Sequence, residues 1–400
     1  NGDGFADLAV GAPAYDSTAT GEGRVVVYEG SSAGLQALPA SEIIGVQDGA
    51  ALGAALGAAG DVDGDGFGDL AVGAPLYDVL PGNDEGQAAV YLGAAGLLSD
   101  TPEWSVEPNK TNNEFAIQVD MAGDVIGYVY TEIIVGSPWF NTGITEMGRV
   151  LIYYGSSSGP ALTESWVAWG TQEEEDFGYS VSHAGDVNGD GYDDVIIGSR
   201  SFDNPEVDEG LAHLFLGSPT GVLATPSWTA DSDHAGAEFG FSVSAAGDVN
   251  GDGFADVVIG APLFDGAAVD CGRAYVFLGS PSGLSTVPNW SYQAIAENEQ
   301  FGYSVSQAGD INGDGYADIV IGGRRAPGNG RAYVFHGSPT GPSTVPDWTK
   351  GGVGGQFGVS VDTAGDVNGD GFSDVVIGAY RSDGEGRAFV FHGSALGLST

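Results

Sequence analysis

Aspartate and asparagine recur in this 400-residue chain at a spacing that suits ligation of a hard cation by oxygen. The run Asp-x-(Asn/Asp)-Gly-Asp-Gly-(Phe/Tyr)-x-Asp stands intact five times. Its ligand positions one, three, five, seven and nine are Asp61, Asp63, Asp65, Phe67 and Asp69 in the first intact copy. They are Asp186, Asn188, Asp190, Tyr192 and Asp194 in the next, then Asp248, Asn250, Asp252, Phe254 and Asp256. The last two copies supply Asp310, Asn312, Asp314, Tyr316 and Asp318, then Asp366, Asn368, Asp370, Phe372 and Asp374. A further copy opens the chain without its first two positions, leaving Asn1, Asp3, Phe5 and Asp7. Another, at Asp124, keeps the frame but reads Ile126, Tyr128, Tyr130 and Glu132.

Positions one, three, five and nine offer side-chain oxygens, and position seven offers a backbone carbonyl. The glycines at four and six let the chain wrap tightly, because glycine accepts positive φ without a steric penalty. Oxygen-only ligation in a flexible frame favours calcium over magnesium, which demands a stricter octahedron. The pattern therefore predicts five or six calcium ions in a mainly structural role. It predicts none at Asp124, where apolar and aromatic residues replace the acids although the surrounding unit persists. Eighteen of the 55 acids stand at the ligand positions of the six acidic copies, and six divalent ions would move the formal charge from −44 to −32. A chain this acidic repels nucleic acid and anionic membranes, which excludes both as partners. No apolar run is long enough to span a bilayer, so direct membrane insertion is not expected.

Other chemistries find little support. Cys271 stands alone, so neither an internal disulfide nor a cysteine-based metal cluster is available. The five histidines show no ligand spacing, and His213, His336 and His392 fall in or beside strands. Gly30–Gly34 and Gly155–Gly159 match Gly-x-Ser-x-Gly, but they occupy the same turn as Gly217–Gly221, where the central serine is missing. A nucleophile elbow also needs a strand-to-helix turn. The sequence predicts no catalysis.

The elements that position the loops follow from the period. Loop starts are separated by 63, 62, 62, 62 and 56 residues, the signature of a repeat architecture. Each unit begins with a Phe-Gly-x-Ser-Val run (Phe177–Val181, Phe239–Val243, Phe301–Val305, Phe357–Val361; weaker at Leu52–Leu56 and Phe115–Val119). The acidic loop follows, then an apolar run ending in Gly-Ala-Pro or a variant of it. After a variable loop comes a third run, then a Gly-Ser-x-x-Gly turn and a fourth run bearing Trp104, Trp166, Trp228, Trp290 or Trp348. The runs are short, β-branched and bounded by Gly, Pro and Asp, so they read as strands. Seven such units predict one all-β domain, a seven-bladed β-propeller of four-stranded antiparallel blades. The units span about 1–47, 48–110, 111–172, 173–234, 235–296, 297–352 and 353–400. The tryptophans should plug the spaces between blades. The first unit lacks its first strand and the last lacks its fourth. A segment of about 30 residues upstream of Asn1 would supply both and close the ring.

Phe-Gly and Gly-Ala-Pro around an Asp-x-Asn-Gly-Asp-Gly loop resemble the FG-GAP repeat of the integrin α-subunit propeller and its bacterial relatives. The resemblance covers essentially the whole chain. It implies calcium at Asp61, Asp63, Asp65, Asp69 and the matching residues, and an extracellular, cell-surface or secreted module for adhesion or recognition. The acidic loop is lost only in the third unit here, whereas integrin α-chains keep it in only some blades, and the chain carries no Arg-Gly-Asp.

Strand alternation puts the acidic loops and Gly-Ser turns on one face and the variable loops on the other. Variable loops on a rigid scaffold are the usual place for recognition. The aromatics Tyr15, Tyr77, Phe140, Phe202 and Phe264 recur there, which suits packing. Units six and seven carry Ala326 and Ser382 instead, beside Arg324, Arg325 and Arg381, with Lys350 between. Four of the eleven cations in one sector predict a site for a carboxylate-bearing protein or acidic glycan ligand. A lectin-type propeller and a non-catalytic appendage of a larger secreted enzyme are the alternatives.

Overall fold

The structure, a computed structural model, describes residues 1–79, 84–96, 98–108, 114–141, 143–352, 354–381 and 385–399; the side chains of residues 58, 59 and 381 lie outside that description. The described residues form strands and no helix, in seven separate antiparallel sheets. The first sheet has three strands, Leu8–Ala12 (β1), Arg24–Tyr28 (β2) and Ser41–Ile44 (β3). The second holds Ala55–Gly60 (β4), Asp69–Ala74 (β5), Gln87–Tyr91 (β6) and Trp104–Val106 (β7). The third holds Gln118–Gly123 (β8), Glu132–Ser137 (β9), Arg149–Tyr153 (β10) and Trp166–Trp169 (β11). The fourth holds Phe177–Gly185 (β12), Asp194–Ser199 (β13), Leu211–Phe215 (β14) and Trp228–Asp231 (β15). The fifth holds Ser242–Gly247 (β16), Asp256–Ala261 (β17), Arg273–Phe277 (β18) and Trp290–Gln293 (β19). The sixth holds Phe301–Gly309 (β20), Asp318–Gly323 (β21), Arg331–Phe335 (β22) and Trp348–Gly351 (β23). The last has three strands, Gly355–Gly365 (β24), Asp374–Arg381 (β25) and Arg387–Phe391 (β26).

Every sheet pairs its strands in chain order, as a blade requires. The five complete blades have four strands, and the first and last lack the strands that the sequence pattern leaves out. The first strands run further than the Phe-Gly-x-Ser-Val motif, because pairing continues to the glycine before the acidic loop, as in Gly185 opposite Asp194.

The core lies between blades rather than within them. Ile196 and Leu214 of the fourth pack with Phe239, Ile259 and Phe277 of the fifth, all buried. The Phe-Gly and Gly-Ala-Pro glycines explain this closeness. A Cβ on Gly198 would lie 1.9 Å from the Gly240 carbonyl oxygen of the next blade, and Gly260 meets Gly302 at 2.0 Å. Only glycine fits at such an approach. The serine of each motif adds a bond across the same gap: Val243 N–H donates to Ser180 Oγ at 2.9 Å, and Val305 N–H to Ser242 Oγ at 3.1 Å.

The tryptophans plug the blade gaps as expected. Trp290 Nε1 donates to Ser343 O of the next blade at 2.9 Å, and its ring meets Phe335 edge-on at 4.9 Å. Trp104, Trp166, Trp228 and Trp348 repeat this bond to Ala161, Leu223, Ser285 and Ser399. The ring also closes between its ends. Ala6 N–H donates to Asp366 O and Ser31 N–H to Val367 O, both at 3.0 Å, matching Ala255 to Asp186 and Ser280 to Val187 inside the ring.

Truncating Trp290 removes a buried ring and orphans the Ser343 carbonyl. Trp290→Ala should lose about 3–5 kcal/mol in denaturant unfolding, and Trp290→Phe markedly less. Equal losses would mean that the indole N–H bond to Ser343, and not the buried ring volume, carries the contribution.

Candidate metal loops and ligand face

Each intact loop folds around its first aspartate. In the fifth blade Asp248 Oδ1 accepts the N–H groups of Gly251 (2.6 Å) and Asp252 (3.0 Å), and Oδ2 accepts that of Gly253 (2.8 Å). Asn250 Oδ1 takes Asp252 N–H, and Asp252 Oδ1 takes Phe254 N–H. Asp61, Asp186, Asp310 and Asp366 repeat the first set of bonds. In the second blade Asp61, Asp63 and Asp65 bring carboxylate oxygens within 4.8 Å of one another.

Position nine is the buried member. Asp194, Asp256, Asp318 and Asp374 are fully sealed and Asp69 nearly so. Asp256 Oδ2 accepts Val249 N–H at 2.9 Å, and Oδ1 accepts Gly279 N–H at 2.8 Å. One carboxylate thus ties the acidic loop to the Gly-Ser turn, which puts both on one face. Burial, with neighbouring loop carboxylates adding, pushes Asp194 and Asp256 from 3.8 up to about 7. Asp69 and Asp318 rise to about 6 for the same first reason. The opening copy is built alike: Asp7 accepts the Gly30 N–H, while Asp3 Oδ1 takes Phe5 N–H. These donors are all oxygen and mostly anionic, and they crowd one another, so they fit a hard divalent cation of the calcium type.

Position seven does something the sequence did not reveal. Its ring lies on the position-four glycine of the preceding blade's loop. A Cβ on Gly313 would come within 2.7 Å of the Phe372 ring, and one on Gly251 within 2.6 Å of Tyr316. The same contact joins Gly2 to Phe67, Gly64 to Tyr130, Gly127 to Tyr192 and Gly189 to Phe254. Gly369 against Phe5 completes the circle between the last and first blades.

The third blade separates turn geometry from ligation. Asp124 still accepts the N–H groups of Gly127, Tyr128 and Val129. Positions three and five offer no carboxylate, and Glu132 fills position nine. Glu132 Oε2 takes Val125 N–H at 2.8 Å, while its buried Oε1 has no partner. Burial, with Asp124 and Asp193 adding, pushes its carboxyl from 4.5 up to about 8.

On the opposite face the recurrent aromatics pack structurally. Arg24 lies over Tyr15 at 4.2 Å, Arg149 over Phe140 at 3.8 Å and Arg273 over Phe264 at 3.9 Å. Arg324 lies 3.9 Å over Tyr303, with Nε donating to Gln300 Oε1 at 2.8 Å. Arg200 joins it across a pocket, 3.9 Å over Tyr179 and held by Asp176 at 2.8 Å. Phe241 packs, tilted, between Tyr179 and Tyr303 at 5.0 and 4.7 Å. Arg325 is exposed beside this pocket in sequence but does not line it; Lys350 sits on the outer strand β23. The Arg381 side chain and Ser382 lie outside the described residues. Sequence reasoning missed Arg200 and its aromatic partners; the signal was an aromatic at the third position of Phe-Gly-x-Ser-Val in three consecutive blades.

The remaining candidates have local roles. Ser31 and Ser156 Oγ close their own turns on Gly34 and Gly159, as Ser218 does on Gly221. Buried His213 lies 3.2 Å from Ser199 Oγ, and burial lowers it to about 4.

The FG-GAP repeat model matches residues 1–28, 52–92, 177–215, 239–277, 301–335 and 357–391, more than half of the chain. The chain belongs to the FG-GAP repeat family. The third blade, whose loop has lost the acids at positions three and five, is the one the repeat model passes over. Integrin alpha-5 of Xenopus laevis is 31% identical over 243 residues, covering 56% of this chain and 22% of that protein. Integrin alpha-PS5 of Drosophila melanogaster is 29% identical over 296 residues, covering 70% of this chain and 28% of that protein. The FG-GAP chain thus spans only about a quarter of the length of these relatives. A Bacteroides uniformis structure described as a candidate 6-phosphogluconolactonase shares the fold, with TM-score 0.61, 11% identity, and coverage of 98% of this chain and 92% of that one.

Glu132 gives a pH signature independent of any metal. Folded Glu132 keeps its proton to higher pH than unfolded, so its contribution to stability is complete below about pH 4.5 and is lost as pH rises towards about 8. Glu132→Gln should flatten that part of the stability–pH profile and leave the variant more stable than the parent above pH 8. Parallel profiles for the two proteins would contradict this.

Proposed function

We propose that this chain is a calcium-loaded propeller that works outside the cytoplasm as a non-catalytic recognition or adhesion module. One observation carries the recognition reading: two guanidinium groups, Arg200 and Arg324, are held over aromatic rings in a shared pocket on a protein of net charge −44. Each is tethered through Nε, which leaves its outer N–H groups to meet a carboxylate. Protein-binding relatives of the integrin α type favour a protein ligand with an acidic side chain; Arg325, Lys350 and Arg381 would extend the cationic sector. A glycan ligand is the second reading, supported only by the recurrent aromatics.

Calcium would be held by the carboxylates of positions one, three, five and nine, with the position-seven carbonyl, and would neutralise their repulsion. For extracellular-type affinities of about 10⁻⁴–10⁻³ M, millimolar calcium stabilises each site by about 0.4–1.4 kcal/mol. Five or six sites together give several kcal/mol, comparable with the net stability of a domain.

Binding to an array of matrix proteins and glycans tests the reading. Signal should require calcium and fall at least tenfold in Arg200→Glu and Arg324→Glu, with calcium stoichiometry unchanged. Unchanged signal in both variants would remove the pocket from the account, and signal from several equivalent blade gaps would favour the lectin alternative.

A further inference from the structure

The residue two positions before the third strand is a glutamate in four blades: it is the exposed Glu385 in the seventh, and Glu22, Glu85 and Glu209 in the first, second and fourth. The last three are buried. Glu22 accepts the N–H groups of Ser17, Thr18 and Ala19, which fold the variable loop around it. Glu85 accepts Val79 N–H at 3.0 Å. Glu209 is as deeply sealed, yet neither of its carboxylate oxygens has a hydrogen-bond partner. Its loop offers it little: the Asn204 N–H that faces it bonds Glu206 O, and Asp208 N–H bonds Asp203 Oδ1.

Glu209 instead faces two more acids. One carboxylate oxygen from each of Glu209, Asp231 and Asp233 lies within 4.8 Å of the other two. Asp231 ends β15 and is oriented by Asn204 Nδ2 (3.2 Å) and Asp233 N–H (3.1 Å). Ser232 Oγ donates to Glu209 O at 3.1 Å, which ties the two loops together beside the cluster. The counter-charge that other blades place here is also missing. Strand three opens with Arg24, Arg149, Arg273, Arg331 or Arg387 in five blades, but with Gln87 in the second and Leu211 in the fourth. Leu211 pairs directly with Asp231.

A sealed carboxylate with no donor, two acids against it and no arginine is strongly unfavourable as it stands. The donors are all oxygen, with no histidine or thiol among them, which selects a hard cation. We propose that Glu209, Asp231 and Asp233 form a divalent-cation site of the calcium class on the variable-loop face, separate from the repeated loops. The ion joins the loop after β13 to the loop after β15. These loops also carry Arg200 and Glu238, which line the recognition pocket. The link to ligand binding rests on the recognition reading above; the cation site does not.

The test is an anomalous-scattering map of the full chain soaked in manganese, paired with calcium counting by calorimetry. A peak bonded by all three carboxylates is expected, with Glu209→Gln and Asp231→Asn each binding one ion fewer than the parent. Leu211→Arg should also lose that ion while melting higher than the parent in chelator, because it restores the missing counter-charge. No peak at the cluster, or equal ion counts in parent and Glu209→Gln, would overturn the proposal and leave a shared proton as the way the three acids are accommodated. The repeated loops give their own peaks in the same map, so failure there is seen separately.

Discussion

The structure depends on how closely neighbouring blades approach. Glycine faces glycine at contacts that would drive a Cβ to 1.9–2.0 Å from a backbone oxygen, as at Gly198–Gly240 and Gly260–Gly302. That approach lets β-branched strand faces bury against the next blade, and it fixes where every loop emerges. The position-nine aspartate then holds each rim, bonding the acidic loop and the Gly-Ser turn with its two oxygens. The proposed calcium ions act on a frame already set by these backbone contacts. Their role is to relieve the crowding of carboxylates that the frame imposes.

The third blade supports this division of labour. It keeps its four strands and its Asp124-centred turn while losing the acids at positions three and five. The turn therefore follows from one aspartate and its glycine, and the remaining acids serve another purpose. Glu132 illustrates what happens when a carboxylate is kept in the buried position without its companions: one oxygen still bonds Val125, the other is left without a partner.

The repeat, the four-strand unit, the tryptophan plugs and the two faces were legible in the sequence because each is written locally and repeated. Strand ends were less so, since β12 and β20 stay paired to the glycine before the loop. What could not be read were contacts between residues that are not neighbours in the chain. The aromatic at position seven looked like a carbonyl donor alone; its ring proves to pack on the neighbouring loop's glycine. Arg324 looked like part of a cationic sector with Lys350, but its pocket partner is Arg200, two blades away. Leu211 among arginines acquires meaning only once the strand register places it opposite Asp231.

Hydrogen exchange read loop by loop, in chelator and in millimolar calcium, tests the central claim most directly. The account predicts slowed exchange in the loops beginning at Asp61, Asp186, Asp248, Asp310 and Asp366, with no change in the loop at Asp124. No calcium effect in any loop, or an equal effect in the Asp124 loop, would contradict it.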